Sequence, residues 1–353
     1  MATLDPAQLS LARSYQNLFK IGVAVNANEF SGKDAAAAQV VAQQFNRATP
    51  ENALKWQSLQ AQPGQFDFSQ ADQFLDFAER NGMEIHGHTL VWYQQVPDWV
   101  FQPPDGQQMT RELLLQRLEA HMSALSEHFQ DRIHYWDVVN EAYNDDGSFR
   151  NTQWHTIIGD DYIEQAFRLA DQYFPNAKLV YNDFNLETPG KRDTVAKMVR
   201  DFKAQGVRID AVGTQSHLRL QTPTLDAIEA SLDTLSATGV EILVSELDVD
   251  VLPSAGQGQS ANAAMNPALN PYVQCLPDGV VSQVATRWGS LFGAFVRHAS
   301  QIHSVTIWGV SDTYSWLNNT PVNGRTNYGV LFDRNLEPKK DWQSVIEAAG
   351  ASQ

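Results

Sequence analysis

Cysteine is almost absent from this sequence, since Cys275 is the single one among 353 residues. One thiol cannot form an intramolecular disulfide, and it is too few for a cysteine-rich zinc site. Long apolar runs are also missing, because none reaches the ~20 residues that a membrane-spanning helix needs. The chain must therefore be held by its own hydrophobic core, which a chain of this length can bury without covalent cross-links.

Positive charge is scarce as well. The sequence has 25 lysine and arginine residues against 41 aspartate and glutamate residues, which gives a formal net charge of −16. Such a surface repels phosphate backbones and anionic lipids, so we expect neither nucleic acid nor a membrane as a partner. A neutral polymer would not be repelled.

A secretory signal is not recognisable at the start of the sequence. The first twenty residues lack a basic segment followed by an apolar one. We take a secreted or periplasmic mature chain, from which a signal was removed, as the first hypothesis. A cytoplasmic protein is the alternative.

Eight short runs rich in β-branched or aromatic residues alternate with amphipathic helical segments such as 71–81, 111–129 and 161–173. Strands that alternate with helices predict an α/β fold with a parallel sheet, here a single (β/α)8 TIM barrel that forms one catalytic domain over 1–353. A doubly wound open sheet is the rival, but no G-x-G-x-x-G motif follows any run. The runs are 19–25, 44–51, 84–92, 133–141, 178–185, 211–217, 241–248 and 304–312.

One segment breaks this alternation. Residues 253–284 are rich in Gly, Gln, Asn, Ala and Pro, and they follow the seventh run. We expect a long insertion loop on the face of the barrel where active sites lie. It is interpreted either as a solvated insertion or as a wall of a binding cleft.

Two carboxylates end strands of the predicted barrel. Glu141 closes the fourth run and Glu246 closes the seventh. An apolar strand that delivers a charged group to the barrel mouth needs a reason, because an unpaired buried carboxylate is costly. Taken alone, each glutamate is more simply interpreted as a salt-bridged residue at the rim of the barrel. Together across one cleft, they form the arrangement that hydrolyses glycosidic bonds, with one carboxyl protonated and the other ionised.

The neighbours of these carboxylates fit that division. Strand periodicity predicts Gln215 and His217 on one face, beside Glu246 and Asp248 on the adjacent strand. His217 could then form hydrogen bonds to both Glu246 and Asp248 and keep Glu246 ionised. Taken alone, His217 is more simply interpreted as a core histidine. Asn140 can reach a sugar hydroxyl.

His86 and His88 are spaced as a metal-binding pair could be, but no third ligand is apparent, so we expect no metal and no cofactor.

Tryptophans follow several predicted strands. Trp92, Trp308 and Trp316 lie at or just beyond strand ends, where a flat indole can stack on the face of a sugar. Trp99 is interpreted as a core residue.

With these residues in place, the sequence resembles glycoside hydrolase family 10, the endo-1,4-β-xylanases. The similar segments occur in the order of that family and span nearly the whole chain. They are TPENALKW (49–56), HGHTLVW (86–92), WDVVNEA (136–142), YNDFN (181–185), VGTQSHL (212–218), SELD (245–248), WGVSDTYSW (308–316) and LFDRNLEPK (331–339).

The resemblance implies roles by position. Glu141 matches the acid/base of the family and Glu246 matches its nucleophile, in a retaining double displacement on xylan and xylo-oligosaccharides. The residues that match substrate-contacting positions are Glu51, Asn52, Lys55, His88, Trp92, Gln95, Asn140, Asn182, Phe184, Gln215, His217, Trp308 and Trp316. Asn182 and Phe184 fall in the segment that faces the aglycone side, and Trp316 matches a residue that caps the cleft.

Two other functions stay open from the sequence. A β-1,4-glucanase, or another retaining glycanase on the same barrel, is distinguished by the room near Trp316 and Gln95, because xylose lacks the hydroxymethyl group of glucose. A non-catalytic sugar-binding protein or inhibitor would usually have lost one of the carboxylates, and both are present. We expect a monomer.

Overall fold

Nine parallel strands form the framework of the computed structural model, which describes residues 9–103, 107–254 and 265–350. Eight of them close into a barrel in the order β6-β5-β4-β3-β2-β1-β9-β8, with β8 paired back to β6, and β7 extends the edge of β8. The predicted (β/α)8 barrel is confirmed. The strands are β1 (Lys20–Val25), β2 (Arg47–Pro50), β3 (Glu84–Gly87), β4 (Tyr135–Asn140), β5 (Lys178–Asp183), β6 (Ala211–Thr214), β7 (His217–Arg219), β8 (Glu241–Asp250) and β9 (Ile302–Ile307).

Helices cover the outside of the barrel. In α5 the buried residues recur at helical spacing, so one apolar stripe packs on the barrel and the rest faces solvent. The predicted segments 71–81, 111–129 and 161–173 all form helices. The helices are α1 (Leu11–Ser14), α2 (Ala27–Phe30), α3 (Ala35–Gln44), α4 (Trp56–Leu59), α5 (Ser69–Arg80), α6 (Arg111–Phe129), α7 (Gln153–Ile158), α8 (Tyr162–Tyr173), α9 (Pro189–Gln205), α10 (Leu225–Ser236), α11 (Asp278–Arg297) and α12 (Lys340–Gly350).

No helix in the described part of the chain is long and apolar enough to cross a bilayer.

Most strands are shorter than the predicted runs, and two of the runs are interrupted. The third run ends as a strand at Gly87, and pairing with β4 resumes only as an isolated bridge between Val91 and Val139. The sixth run divides at Ser216, whose φ of 58° lies in the left-handed region and cannot continue a strand. His217 therefore begins β7 instead of ending β6.

The insertion loop is also shorter than predicted. Residues 278–284 belong to α11, and residues 255–264 lie outside the described residues. In the described remainder, Asn270 Oδ1 accepts the backbone N–H of Thr326 at 2.9 Å, and Tyr328 donates to the carbonyl of Tyr272 at 2.7 Å. The loop is thus attached to the segment after β9. Its role, as insertion or as cleft wall, stays a prediction.

A cluster of polar side chains closes the N-terminal end of the barrel, and we call it the base cluster. It consists of Arg47, Glu84, Tyr135, Glu241 and His303. Arg47 is fully buried, donates to Glu84 and lies 4.2 Å from the ring centre of Tyr135. His303 contacts Glu84 at 2.9 Å, and Tyr135 donates to Glu241 at 2.8 Å. Every carboxylate here has a cation or a hydroxyl beside it.

Candidate active site

Chemically active side chains gather at the C-terminal ends of the strands, as the barrel prediction requires. Several residues there have a left-handed backbone although they are not glycine, among them Gln95, Glu141, Asn185 and Ser216. Such conformations cost free energy and are concentrated at functional sites in proteins. This rim is therefore the place to look for the chemistry.

Glu141 lies directly after β4 and is almost fully buried. Its carboxylate accepts hydrogen bonds only from neutral groups: from Trp92 Nε1 at 3.0 Å, from Gln215 Nε2 at 2.9 Å and from Asn140 Nδ2 at 3.2 Å. Among the described residues it forms no ion pair. The site thus holds this carboxyl in place without fixing a positive charge on it.

Glu246 does not end its strand as predicted, because β8 continues to Asp250. Its partners differ from those of Glu141. It contacts His217 Nε2 at 3.1 Å and accepts from Asn182 Nδ2 at 2.7 Å, while the other nitrogen of His217 contacts Asp248 at 3.0 Å. Burial alone would raise the pKa of Glu246, but the His217 hydrogen bond and the charges of His88 and His217 outweigh it, so its pKa lies below the ordinary value. This carboxylate is held ionised.

His217 is the cation of this pair. Burial would lower its pKa, but the charge and the hydrogen bond of Asp248, together with Glu246, raise it to about 10. The predicted bridge from His217 to both carboxylates is present, although β7 and not a continuous sixth strand positions it.

One hydrogen-bonded network links the two glutamates. Asn140 donates to Glu141, and its carbonyl oxygen accepts from Asn182 at 2.9 Å and from Gln215 at 3.3 Å. Asn182 donates in turn to Glu246. The structure therefore brings the two predicted carboxylates together at the barrel mouth, with one ion-paired and the other not.

Sequence reasoning missed Asp137 of β4. Its two oxygens contact His86 Nε2 and His88 Nδ1, both at 2.8 Å, and all three side chains are buried. Burial would raise the pKa of Asp137, but the two imidazoles lower it to about 2. The H-x-H pair thus serves a buried carboxylate, and the described residues contain no group of three side chains suited to a metal. The sequence does contain a signal for this residue, because Asp137 is a charged residue within the otherwise mostly apolar strand YWDVVN.

A second cluster borders the carboxylates and consists of Glu51, Asn52, Lys55 and Gln95. We call it the glycone cluster, after the side of the substrate that the family resemblance implies for these positions. Lys55 donates to Asn52 Oδ1 at 3.0 Å and to Gln95 Oε1 at 2.7 Å. Its ammonium also lies 4.9 Å from the ring centre of Trp92. Burial lowers the pKa of Lys55, opposed by the charges of Glu246, Glu51 and Glu141, so this lysine faces both catalytic candidates and the cluster together.

The tryptophans divide into two groups. The Trp308 ring centre is 5.6 Å from that of His88, and the Trp316 ring centre is 4.8 Å from that of His217. Trp316 Nε1 also donates to Asp248 at 2.6 Å. Trp99 is half-buried and packs edge-on against Trp56, in line with its interpretation as a core residue. Trp308 and Trp316 therefore lie beside histidines of the site, whereas Trp99 packs against the core.

A family model described as glycosyl hydrolase family 10 matches residues 10–348. The chain belongs to glycosyl hydrolase family 10. It is therefore a glycoside hydrolase.

Relatives of this family 10 chain agree. An endo-1,4-beta-xylanase A of Xylanibacter ruminicola is 39% identical over 93% of this chain and 90% of its own length. A GH10 endoxylanase retrieved from a sugarcane soil metagenome is 39% identical, with a TM-score of 0.92 over 96% of this chain and 99% of that chain. A mutant of an intracellular xylanase of Thermoanaerobacterium saccharolyticum, in complex with xylotriose, is 35% identical to this chain. Its TM-score is 0.84, over 97% of this chain and 100% of that chain.

Asn182 lies elsewhere than the family 10 resemblance suggests. The sequence places it on the aglycone side as a substrate contact, but its side chain has no exposed surface and is enclosed by Asn140, Glu246 and Ser245. The prediction of a direct sugar contact is wrong for this geometry. Asn182 lies beneath the cleft and orients the two carboxylates.

Phe184 remains at the cleft of this family 10 barrel. It is half-buried, with Lys191 Nζ 3.8 Å and Arg150 5.5 Å from its ring centre. Arg150 also donates to the backbone carbonyl of Glu141 at 3.1 Å. Phe184 thus lies on the Glu141 side of the site, which is where an aglycone contact is expected.

Proposed function

We propose that this chain is an endo-1,4-β-xylanase that hydrolyses internal bonds of xylan with retention of configuration. The observation that carries the proposal is the asymmetry of the two carboxyls: Glu246 is ion-paired with His217, and Glu141 accepts only neutral donors. A carboxylate that is ionised before attack, beside a carboxyl that donates a proton, is what glycoside hydrolysis requires. The xylanase names of the relatives support the substrate.

In the first step, a carboxylate oxygen of Glu246 attacks the anomeric carbon. Protonated Glu141 gives its proton to the departing glycosidic oxygen, so the leaving sugar departs neutral and a covalent glycosyl-enzyme remains. His217 and Asn182 keep the attacking oxygens oriented by their hydrogen bonds.

In the second step, Glu141 is ionised and removes a proton from water. The water oxygen bonds to the anomeric carbon, the ester to Glu246 breaks, and both carboxyls return to their starting states. Two inversions at one carbon give net retention. We expect the two carboxyl groups ~5–5.5 Å apart, the spacing that a retaining enzyme needs.

The substrate contacts follow from the positions of the other side chains. His88, Asn140, Gln215, Trp92 and Trp308 surround the two carboxylates and would contact the sugar that is cleaved. The glycone cluster would hold the next unit toward the non-reducing end, with Trp316 over the cleft.

Product analysis tests the proposal. Incubation with xylan should release short xylo-oligosaccharides, carboxymethyl-cellulose should be left nearly intact, and proton NMR should show the β-anomer forming first. Equal rates on both polymers would favour a β-1,4-glucanase. Binding of xylotriose without any turnover would favour a sugar-binding protein or inhibitor, and an initial α-anomer would contradict retention.

We propose a secreted or periplasmic location, because an intact polysaccharide does not cross a membrane. The intracellular relative keeps the cytoplasm as the alternative. Efficient hydrolysis of xylotriose with little hydrolysis of polymeric xylan would support the cytoplasmic alternative.

We further propose that residues 1–353 act as one catalytic domain and as a monomer, without metal or cofactor. Light scattering should then give a mass near 39.4 kDa, and chelators should leave the rate unchanged.

A further inference from the structure

The backbone at Glu141 has a strained conformation that surrounding contacts must hold. Its φ of 58° lies in the left-handed region, which costs free energy in a residue other than glycine and persists only where neighbouring groups fix it. On one side, the N–H of Glu141 donates to the carbonyl of Asn182 at 2.8 Å. On the other side, the N–H of Ala142 donates to the hydroxyl of Tyr181 at 3.1 Å. The carbonyl of Glu141 lies between these two groups, and Arg150 binds it.

A short hairpin after β4 carries Arg150 back to this carbonyl. Tyr143 and Phe149 form an antiparallel bridge, and their ring centres are 5.1 Å apart. The N–H of Arg150 then donates to the carbonyl of Ala142 at 2.8 Å. Arg150 and Glu141 therefore lie side by side in the structure although the hairpin separates them in the sequence.

The guanidinium of Arg150 makes backbone contacts at this place. Its Nε donates to the carbonyl of Glu141 at 3.1 Å, and a terminal nitrogen donates to the carbonyl of Tyr143 at 3.4 Å. Within the described part of the chain it forms no ion pair. A rigid, planar fork of donors fixes the direction of an acceptor, which a single rotating ammonium does not. Arg150 therefore holds the stretch of chain that directly follows the carboxyl group.

Two aromatic rings fix the guanidinium in turn. The central carbon of Arg150 lies 4.9 Å from the ring centre of Tyr93 and 5.5 Å from that of Phe184, within the range of cation–π contacts. Tyr93 packs edge-on against Trp92, with ring centres 5.9 Å apart, and Trp92 donates to the carboxylate of Glu141. A continuous set of contacts thus runs from the carbonyl of Glu141 to its own carboxylate.

Tyr93 lies within the influence of both charges. Burial raises the pKa of its hydroxyl, the charge of Glu141 raises it further, and the charge of Arg150 opposes this increase. Gln94 also donates to this hydroxyl at 3.1 Å. Tyr93 is therefore placed between the guanidinium and the carboxyl group, where a displacement of one is transmitted to the other.

We propose that Arg150 is a positioning residue for the acid/base, because it holds the strained backbone of Glu141 and thereby the direction of its carboxyl group. The inference rests on the role of Glu141 in the proposed function and deepens it. An acid must lie within hydrogen-bond reach of the oxygen that it protonates, so a small displacement of the carboxyl group costs rate steeply. Arg150 itself does not touch the reacting atoms.

Aryl xylobiosides with different leaving groups measure this positioning. Dinitrophenol departs as an anion without a proton, whereas unsubstituted phenol needs one, and kcat/KM reports the step in which the aryl group leaves. For Arg150→Met we expect kcat/KM to fall roughly 10–100-fold with phenyl xylobioside and at most about 3-fold with dinitrophenyl xylobioside. Each rate is expressed per active site, titrated with a 2-fluoro-xylobioside that traps the covalent intermediate, so a loss of folded protein does not enter.

Two further variants serve as references. Arg150→Lys keeps a charge and a donor but not the planar fork, so its loss with phenyl xylobioside should lie between the wild type and Arg150→Met. Arg117→Met is the matched control, because Arg117 also donates to backbone carbonyls, those of Val100 at 3.0 Å and Gln102 at 2.9 Å, and lies 5.6 Å from the ring centre of Trp99. It should leave the ratio of the two rates unchanged.

Equal losses with both leaving groups in Arg150→Met, or no loss, would overturn the inference. Glu141→Ala tests the proposed function separately, because it should depend on the leaving group even more strongly. If Glu141→Ala shows that dependence and Arg150→Met does not, the inference alone fails. If Glu141→Ala shows none, Glu141 is not the acid, and the proposed mechanism and the inference both fail.

Aryl cellobiosides keep the test decisive if the wild type hydrolyses no xylobioside. The chain belongs to a family of glycoside hydrolases, so the same pair of leaving groups can be compared on a glucose-based substrate. The xylanase proposal would then be wrong, and the ratio of the two rates in Arg150→Met would still confirm or overturn the positioning role.

Discussion

The two ends of the barrel each hold a cluster of charged side chains, and the carboxylates of the two clusters have different kinds of partner. In the base cluster, Glu84 has both Arg47 and His303, and Glu241 has Lys178 and a tyrosine hydroxyl. At the C-terminal end, Asp137, Asp248 and Glu246 contact imidazoles, and Glu141 accepts only from an indole and side-chain amides. The first arrangement pairs each carboxylate with a cation and supports the fold, whereas the second leaves carboxyl groups available for proton transfer and attack.

The largest expected effect of this difference is on turnover. Glu246→Ala removes the proposed nucleophile and should reduce kcat at least ~10⁴-fold on xylan, while xylotriose binding stays measurable because the glycone cluster persists. Glu84→Gln, which removes a carboxylate from the other end, is the matched control and should keep kcat per folded molecule. Turnover of Glu246→Ala like that of the wild type would end the assignment.

The next effect is on stability. Arg47→Met leaves Glu84 without its buried cation and should lower the free energy of unfolding by about 3 kcal/mol, measured with denaturant. The activity of the folded fraction should not change. Arg47→Met/Glu84→Gln should recover part of the loss, because the unpaired charge is gone. A fall in kcat at unchanged stability would show that the base cluster acts on the site.

Alkaline pH should reduce the free energy of unfolding that the ion pairs of His217 contribute. The pKa of His217 rises from an unfolded value of 6.5 to about 10, so its stabilisation is fully present below 6.5 and is lost as pH rises through 10. Unfolding free energies from pH 6 to 10 should therefore fall less in His217→Asn than in the wild type, by on the order of 2 kcal/mol. Parallel curves would contradict the ion pair.

Acidic pH should reduce the free energy of unfolding that Glu84 contributes, by a smaller amount. Burial would raise the pKa of Glu84, but His303 and Arg47 lower it to about 2 from the ordinary 4.5. Its stabilisation is present above 4.5 and is lost as pH falls through 2. As pH falls from 4.5 to 2, the free energy of unfolding should decrease less in Glu84→Gln than in the wild type, by on the order of 1–2 kcal/mol. The variant is less stable at every pH, because Arg47 loses its partner.

The sequence predicts the barrel because the alternation of strands and helices is a local signal, and it places both glutamates near the C-terminal ends of strands. It predicts the His217 contacts for a partly wrong reason, since Ser216 interrupts the strand and pairing of β7 with β8 restores the register. Periodicity says which face a side chain shares, and it cannot show such a break.

Depth in the barrel is the other property that the sequence does not reveal. A register shift in β4 between Asp137 and Val139 lets Asp137 and Asn140, three residues apart, both join the interior network. A strict period of two would separate them. The family resemblance, and not the strand pattern, places Asn182 at the cleft, and nothing local distinguishes a residue beneath a ligand from one beside it.

The hydrogen bond from Trp316 to Asp248 connects the loop after β9 to the charged groups around Glu246. Asp248 shares His217 with Glu246, so a displacement of the indole would change the hydrogen bonding of Asp248 and, through His217, the charge distribution around the Glu246 carboxylate.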